Sequence, residues 1–122
     1  MADVQYDKAD QLTQIQQGLQ QGENVLAVYD CTGAGTGFVA VTDKRVILQD
    51  KSFVGKKTAL TSIPYRQIRS VSVVSDKSMM GKFFSSSSIG IDVGGVVHEA
   101  EFRGVEKAKY IHDVILWHII NQ

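Results

Sequence analysis

Short apolar segments with a period of two, separated by turn residues, constrain the fold of this chain more than any other feature. The clearest is segment 38–48, Phe-Val-Ala-Val-Thr-Asp-Lys-Arg-Val-Ile-Leu, in which two apolar runs flank a polar turn. Apolar runs joined by a short polar turn are typical of a hairpin of two antiparallel strands. The segment therefore predicts an antiparallel β architecture, with Thr42–Arg45 as an exposed turn between two core strands.

The same kind of pattern recurs over most of the chain. Ile89, Ile91 and Val93 alternate with small or polar residues, and Gly94-Gly95 after them is a strong hairpin signal. Seven strands at short spacing favour a sandwich or a partly open barrel. The serine-rich segment 78–88 is predicted to form a long loop between the fifth and sixth strands. The predicted strands cover residues 23–31, 37–42, 45–51, 57–63, 68–75, 89–93 and 96–102.

A helix is predicted on each side of the strands. Ala9, Leu12, Ile15 and Leu19 recur at intervals of three or four residues, which predicts a short helix over 7–19. After Gly104 the β period ends, and residues 105–120 have the pattern of a second helix. The shorter helix presents a narrow apolar stripe, as expected for packing on one sheet.

The second helix is apolar over more of its circumference than a single contact requires. A helix packed on one sheet needs an apolar arc of only about 100°. One predicted core face consists of Val105, Ala108, Ile111, His112, Ile115, Leu116 and Ile119. A second stripe comprises Tyr110, Val114, Trp117 and Ile120. Since exposing such side chains to water is unfavourable, we predict that self-association covers the second stripe.

Length and composition bound the class of protein. A chain of 122 residues has the size of one domain, and its net charge of zero creates no field towards nucleic acid or membranes. The single cysteine excludes an intrachain disulfide and fits a reducing compartment. Residues 1–7 lack the features of a signal peptide, and no apolar run reaches the roughly 18 residues of a membrane span. We therefore predict a cytoplasmic protein with no nucleic-acid partner.

Three motifs in one order point to a family. They are Glu23–Ala27, Gly37–Ile47 and the Pro-marked corner Ile63–Val71. Together they resemble the bacterial pleckstrin-homology-like (PH-like) family, over residues 23–120. The resemblance implies a mainly β fold: a seven-stranded antiparallel sandwich or open barrel capped by a C-terminal helix, with a short N-terminal helix. It also implies a self-assembling, ring-forming protein of largely unassigned function.

The resemblance divides the chain into parts of one domain. Residues 1–22 are expected to be a helical extension, 23–103 the barrel and 104–122 the C-terminal helix. Eukaryotic PH domains that bind phosphoinositides have Lys and Arg around the loop that joins their first two strands. Here residues 31–37 of that loop contain no basic residue, so inositol-phosphate binding is not expected.

The sequence offers no convincing catalytic or metal site. Gly33, Gly35 and Gly37 run into a strand, whereas a phosphate-binding glycine loop runs into a helix. Three histidines and Cys31 lack the close spacing of zinc ligands. His98 shares a strand face with apolar residues and is predicted to be a hydrogen-bonded core imidazole, and Cys31 a small buried residue. We predict no enzyme activity, no cofactor and no metal.

The distribution of charge is uneven although its sum is zero. Residues 1–30 carry a net charge of −4 and residues 44–82 a net charge of +7. The basic residues could form a solvated surface, or attract the acidic region of a neighbouring subunit head to tail. They could also face an anionic lipid or nucleic-acid surface.

The predicted loop 78–88 is the second candidate interface. It contains four large apolar residues, Met79, Met80, Phe83 and Phe84. They could be buried in the protein or its oligomer, dock on another protein, or insert into a membrane interface. Lys77 and Lys82 are weaker candidates for contact with an anionic surface. The preferred function is a non-catalytic scaffold or binding module in a cyclic homo-oligomer; the alternative is peripheral binding of anionic membranes through residues 77–84.

Overall fold

The β pattern forms two sheets that enclose the main core and are covered at one end by a helix. The computed structural model describes residues 4–32, 36–50, 59–76 and 86–121. The strands are β1 (Gln5–Tyr6), β2 (Val25–Asp30), β3 (Thr36–Thr42), β4 (Arg45–Asp50), β5 (Ala59–Pro64), β6 (Ser70–Asp76), β7 (Ser86–Asp92) and β8 (Val97–Arg103). The helices are α1 (Ala9–Gln17), a 3₁₀ turn (Tyr65–Gln67) and α2 (Lys107–Ile120). One sheet has the order β1-β2-β3-β4-β5, and the other has the order β6-β7-β8.

The central strands β2, β3 and β4 of the five-stranded sheet are buried on both faces. Its inner face joins the three-stranded sheet and α2 in the main core, where Val39 and Val41 are fully buried. Its outer face carries α1, and there Phe38 and Ala40 pack with Ile15 of the helix. A strand covered on both sides is apolar at every position rather than at every second one. This explains the continuous apolar run at the start of the hairpin motif.

A β-bulge in β2 changes the direction of one side chain. Val25 pairs with Thr42 and Ala27 with Val41, so Leu26 is an extra residue on its strand. As a result Leu26 and Ala27 both contact the cluster under α2, although neighbouring strand residues normally face opposite ways. The bulge places Leu26 beside the C-terminal helix.

The two sheets meet at one corner. The Thr32 amide donates to the Glu101 carbonyl at 2.8 Å, which forms an isolated bridge to β8. Close by, the Thr36 hydroxyl donates to the Glu99 carbonyl at 3.0 Å. These contacts join the β2–β3 corner to β8 and close the sandwich on that side.

The predicted mainly β architecture is confirmed, with its seven main strands and a helix on each side. The additional strand β1 has only two residues and pairs in parallel with β2. The prediction that residues 78–88 are all loop is wrong at its end, because β7 begins at Ser86. Ser87 is buried, and its hydroxyl donates to the Gly104 carbonyl at 2.7 Å and accepts from the Ala108 amide at 3.2 Å. A serine of this strand therefore satisfies backbone groups at the start of α2.

Candidate functional site

The three sequence motifs meet in one buried polar network. The Glu23 side chain is fully buried, and it accepts hydrogen bonds from Arg45 Nε at 2.9 Å and Arg45 Nη2 at 3.0 Å. It also accepts from the Thr42 hydroxyl at 2.6 Å and the Gln20 amide at 2.9 Å. Arg45 further donates to the Gly18 carbonyl just after α1. The network thus ties the end of α1 to the β3–β4 hairpin.

The prediction of an exposed turn at 42–45 is wrong for its first and last residues. Thr42 is fully buried, and its hydroxyl accepts hydrogen bonds from the amides of Lys44 and Arg45 at 3.0 Å. The Thr42 carbonyl accepts a 2.6 Å hydrogen bond from the hydroxyl of Tyr65, which belongs to the third motif. Only a residue with both a hydroxyl and a small side chain can close this turn while buried. The motif therefore has a structural role.

The network also controls the ionisation of Glu23. Burial alone would raise the pKa of Glu23, but hydrogen bonds from Arg45, Thr42 and the Gln20 amide outweigh it and lower the pKa to about 2. The carboxylate therefore stays charged and paired at neutral pH. Because its oxygens are already occupied by partners within the chain, it is poorly placed to act as a catalytic acid or base.

The outer surface of α2 carries three large apolar side chains that the described residues leave exposed. Trp117 is 61% exposed and Ile120 is 69% exposed. Leu116 is also exposed, so its predicted place on the core face is wrong; Ala108, Ile111 and Ile115 are the residues that this helix buries. Successive residues of a helix are rotated by about 100°, so the three buried residues cover only a narrow arc of α2. Leu116 lies outside that arc.

A shallow apolar groove lies between α2 and β2. Its volume is about 350 Å³, and Leu26, Val114 and Trp117 line it. Tyr110 and Val114, predicted to be uncovered, are instead partly buried against the main core and form the base and side of the groove. Leu26 could not be predicted here, since its position depends on the bulge.

His118 packs against both Tyr65 and Trp117 at one end of the groove. Its ring stacks on Tyr65 with 4.2 Å between centroids and 7° between planes, and its Nδ1 lies 2.8 Å from the Val114 carbonyl. The Trp117 ring meets it edge to face at 5.0 Å. These contacts support the indole in its exposed position from one side.

A second, larger cleft lies at the other end of α2. It has a volume of about 1020 Å³, and its walls come from β1, Tyr29 and the first turns of α2. At its edge the Lys107 ammonium lies 2.9 Å from the Asp7 carboxylate and 5.6 Å from the centroid of the Tyr29 ring. Burial raises the pKa of the Tyr29 hydroxyl to about 12, with Tyr110, Asp7 and Glu106 adding to the effect. The sequence contains no signal for this cleft because residues 7 and 107 are far apart in the chain.

Several predicted features cannot be placed. Residues Lys77, Met79, Met80, Lys82, Phe83 and Phe84 lie outside the described residues, as does much of the basic segment. Three acidic residues of the N-terminal region pair with cations, and two of those cations, Arg45 and Lys107, lie outside residues 1–30. These pairs are Asp7 with Lys107, Glu23 with Arg45 and Asp30 with Lys8.

The described histidines and cysteine do not assemble into a ligand set. Across residues 4–32, 36–50, 59–76 and 86–121, no three His, Cys, Asp or Glu side chains are grouped so that they could hold a metal ion. Cys31 is buried as predicted. His98 is only partly buried and is not the core imidazole that the strand pattern predicts.

Neither α1 nor α2 has the length and apolar character of a membrane-spanning helix.

The order of strands and the terminal α2 match a known family. A family model described as the bacterial PH domain matches residues 1–119. The chain belongs to the bacterial PH domain family. The resemblance inferred from the three motifs is thereby confirmed, and the match extends over the N-terminal region as well.

Similar proteins support the fold of this bacterial PH domain. The uncharacterized protein YjqA of Bacillus subtilis (strain 168) is 34% identical over 97 residues, which are 79% of this chain and 72% of YjqA. The pleckstrin homology domain from Shewanella amazonensis SB2B has a TM-score of 0.66 and 24% identity, over 93% of this chain and 99% of its own. A DUF1696 family protein with a pleckstrin-homology domain from Shewanella loihica PV-4 has a TM-score of 0.62 and 20% identity, over 93% and 94%. At these identities the two structures establish the fold alone.

Proposed function

We propose that this bacterial PH domain is a non-catalytic cytoplasmic scaffold or binding module that self-assembles through the outer surface of α2. The single observation that carries the proposal is the exposure of Trp117 and Ile120, next to the exposed Leu116. The groove beside Trp117 is lined by apolar side chains and extends this surface to Leu26. A large apolar surface of this kind is typical of a protein–protein contact.

The free energy available from this surface supports association. Full burial of a large apolar side chain contributes about 1.5–3 kcal/mol. Three side chains that are roughly half exposed would therefore contribute about 3 kcal/mol per subunit on being covered. A Trp at the centre of such a patch is a typical hot spot of an interface. The formal net charge of zero adds no long-range repulsion between copies.

A cyclic assembly follows if the α2 surface meets a different surface of the next copy. Such a contact is heterologous, and it closes into a ring when the rotation between copies permits. Val96 and Val97, which are exposed at the β7–β8 turn, are candidates for that second apolar surface. Contact of α2 with α2 would instead give a dimer with twofold symmetry.

Light scattering on the purified protein tests the proposal. We expect a particle of several subunits at micromolar concentration, and we expect Trp117→Glu to shift it towards the monomer mass of 13.4 kDa. Leu60→Glu is a matched control, because Leu60 is a similarly exposed apolar residue on β5. A monomeric wild-type protein would overturn the proposal, as would a Trp117→Glu variant that retains the wild-type mass.

Peripheral binding of anionic membranes through residues 77–84 remains the alternative prediction. It rests on the composition of that segment, where Lys77 precedes four large apolar residues and Lys82 lies between the two methionines and the two phenylalanines. Sedimentation with vesicles of phosphatidylcholine and phosphatidylserine would detect it. Binding that falls with salt and is lost on changing both lysines to Gln would favour the membrane, and absence of binding at low salt would exclude this function.

A further inference from the structure

The N-terminal segment Val4–Asp7 lies along the edge of β2. Gln5 pairs with Ala27 and Tyr6 with Val28, in parallel. The pairing involves two residues on each side, and the Gln5 and Tyr6 side chains are exposed. Since parallel pairs are slightly weaker than antiparallel ones, such a short strand is not held by its backbone alone.

Side chains at two alternate positions fasten this segment. The Asp7 carboxylate accepts hydrogen bonds from the Asp30 amide and from Lys107 Nζ, both at 2.9 Å. Two residues earlier, the amide oxygen of Gln5 accepts a hydrogen bond from the Tyr29 hydroxyl. Side chains at positions i and i+2 of an extended chain point the same way. The receiving surface therefore recognises an amide and a carboxylate separated by one residue.

The segment does not fill the space between β2 and α2. The cleft of about 1020 Å³ remains open between β1 and the first turns of α2, with Tyr29, Val105 and Tyr110 on its walls. Its size is near the upper end of the range of about 300–1,000 Å³ that is usual for ligand sites. The Asp7–Lys107 ion pair spans the edge of this open space. An ion pair that is partly exposed to water contributes little, and Val4 is only partly buried where it packs against the cluster under α1, so the segment is held by weak contacts.

We propose that Val4–Asp7 is a displaceable strand that occupies a docking site for an extended segment of another protein. The site consists of the β2 edge, the Tyr29 hydroxyl, the Asp30 amide and Lys107. Its occupant is an extended segment with Gln or Asn two residues before Asp or Glu, as in Gln5-Tyr6-Asp7. A free strand edge is a common peptide-docking surface, because backbone hydrogen bonds supply affinity and side-chain pockets supply specificity.

The proposal makes the N-terminal segment an internal competitor. If the site is free in only a fraction of the molecules, the apparent dissociation constant of an external peptide is raised by the inverse of that fraction. A substitution that loosens the internal strand without changing the receiving groups should therefore increase the affinity of the site for the external peptide. Changing Lys107 should loosen the strand and also remove the cation that receives the carboxylate of the peptide.

Fluorescence anisotropy with a labelled synthetic peptide of residues 4–9 tests the proposal on the full chain. In Asp7→Asn the internal carboxylate is lost, and we expect binding at least fivefold tighter than to wild type. In Lys107→Met we expect binding at least fivefold weaker than to Asp7→Asn. Lys109→Met is the matched control, because Lys109 lines the same cleft but pairs with Asp113, and it should bind like wild type. All proteins compared, including the wild-type reference, carry Trp117→Glu, which makes the result independent of assembly through α2.

Hydrogen exchange and a second substitution on the internal strand test the same site independently. Hydrogen exchange of the β2 amides should accelerate in Asp7→Asn and slow again on addition of the peptide. Gln5→Ala removes the other fastening contact from the internal strand but keeps the receiving Tyr29 hydroxyl, so it should also tighten binding if Asp7→Asn does not fold. Equal binding by Asp7→Asn and wild type would overturn the proposal, as would equal binding of a peptide in which Asp7 is replaced by Asn.

Discussion

Replacing Arg45 with Met is expected to lower the free energy of unfolding by about 3–5 kcal/mol, the range for removal of one partner from a buried ion pair. The substitution keeps most of the aliphatic stem but removes four hydrogen bonds. Two of these go to Glu23, one goes to the Gly18 carbonyl and one to the Ser62 hydroxyl. The Glu23 side chain is fully buried and would keep only its Thr42 and Gln20 partners.

The lowered pKa of Glu23 gives the net effect of the whole network on the ionised carboxylate. The pKa falls from 4.5 to about 2 in the folded protein. Each unit corresponds to about 1.4 kcal/mol, so the network favours the ionised carboxylate by about 3 kcal/mol. Arg45 is the partner that dominates the lowering, through two hydrogen bonds and its charge.

Urea unfolding followed by far-UV circular dichroism at pH 7 measures this loss. Arg66→Met is the matched control because Arg66 is exposed, and it should change stability by less than about 0.5 kcal/mol. In a Glu23→Gln background, Arg45→Met should lose much less, because no buried charge is left unpaired. Unfolding at two protein concentrations separates folding from assembly. The reasoning is refuted if Arg45→Met and Arg66→Met are equally stable, or if the loss is the same in both backgrounds.

Three further predictions concern stability. Because the pKa of Glu23 is depressed in the folded protein, Glu23 contributes stability above pH 5 that is lost as the pH falls towards 2. In acid titrations followed by circular dichroism, Glu23→Gln should therefore lose less stability over that range than the wild-type protein. Ser87→Ala should lose about 1–3 kcal/mol in urea unfolding, because it leaves the buried Ala108 amide without its acceptor, whereas Ser87→Thr should recover part of the loss. Ile15→Ala should lose about 2–5 kcal/mol, since Ile15 is the buried residue of α1, and equal loss in the exposed Thr13→Ala would contradict the packing.

Local patterns were sufficient for much of the fold because each of the longer strands and both helices have a periodic signal of their own. The strand β7 illustrates both the strength and the limit of such signals. Ile89 and Ile91 identify the strand, but Ser86–Ser88 at its start have the composition of a loop. Ser87 is buried there only because the Ala108 amide of α2 offers a donor and the Gly104 carbonyl offers an acceptor. That partner comes from a distant part of the chain, so no local pattern could predict it.

The candidate sites depended on tertiary structure to a greater degree. The apolar excess of α2 was visible in the sequence, yet the exposed side chains are Leu116, Trp117 and Ile120 rather than the whole predicted stripe. Which residues of a helix face the core depends on its rotation against the sheets. Strand β1 has only two residues and no periodic signal, so the cleft beside it could not be predicted.

The sequence by itself determined the antiparallel β architecture, the two helices and the family, because alternation, turn residues and ordered motifs are local properties. It did not determine what those motifs do. Thr42 and Arg45 have the composition of an exposed turn, but the fold brings Glu23 within hydrogen-bond distance of both, buries Glu23 and Thr42, and partly buries Arg45. Only tertiary structure decides whether a charge is solvated or paired, because that depends on which distant groups share its low-dielectric surroundings.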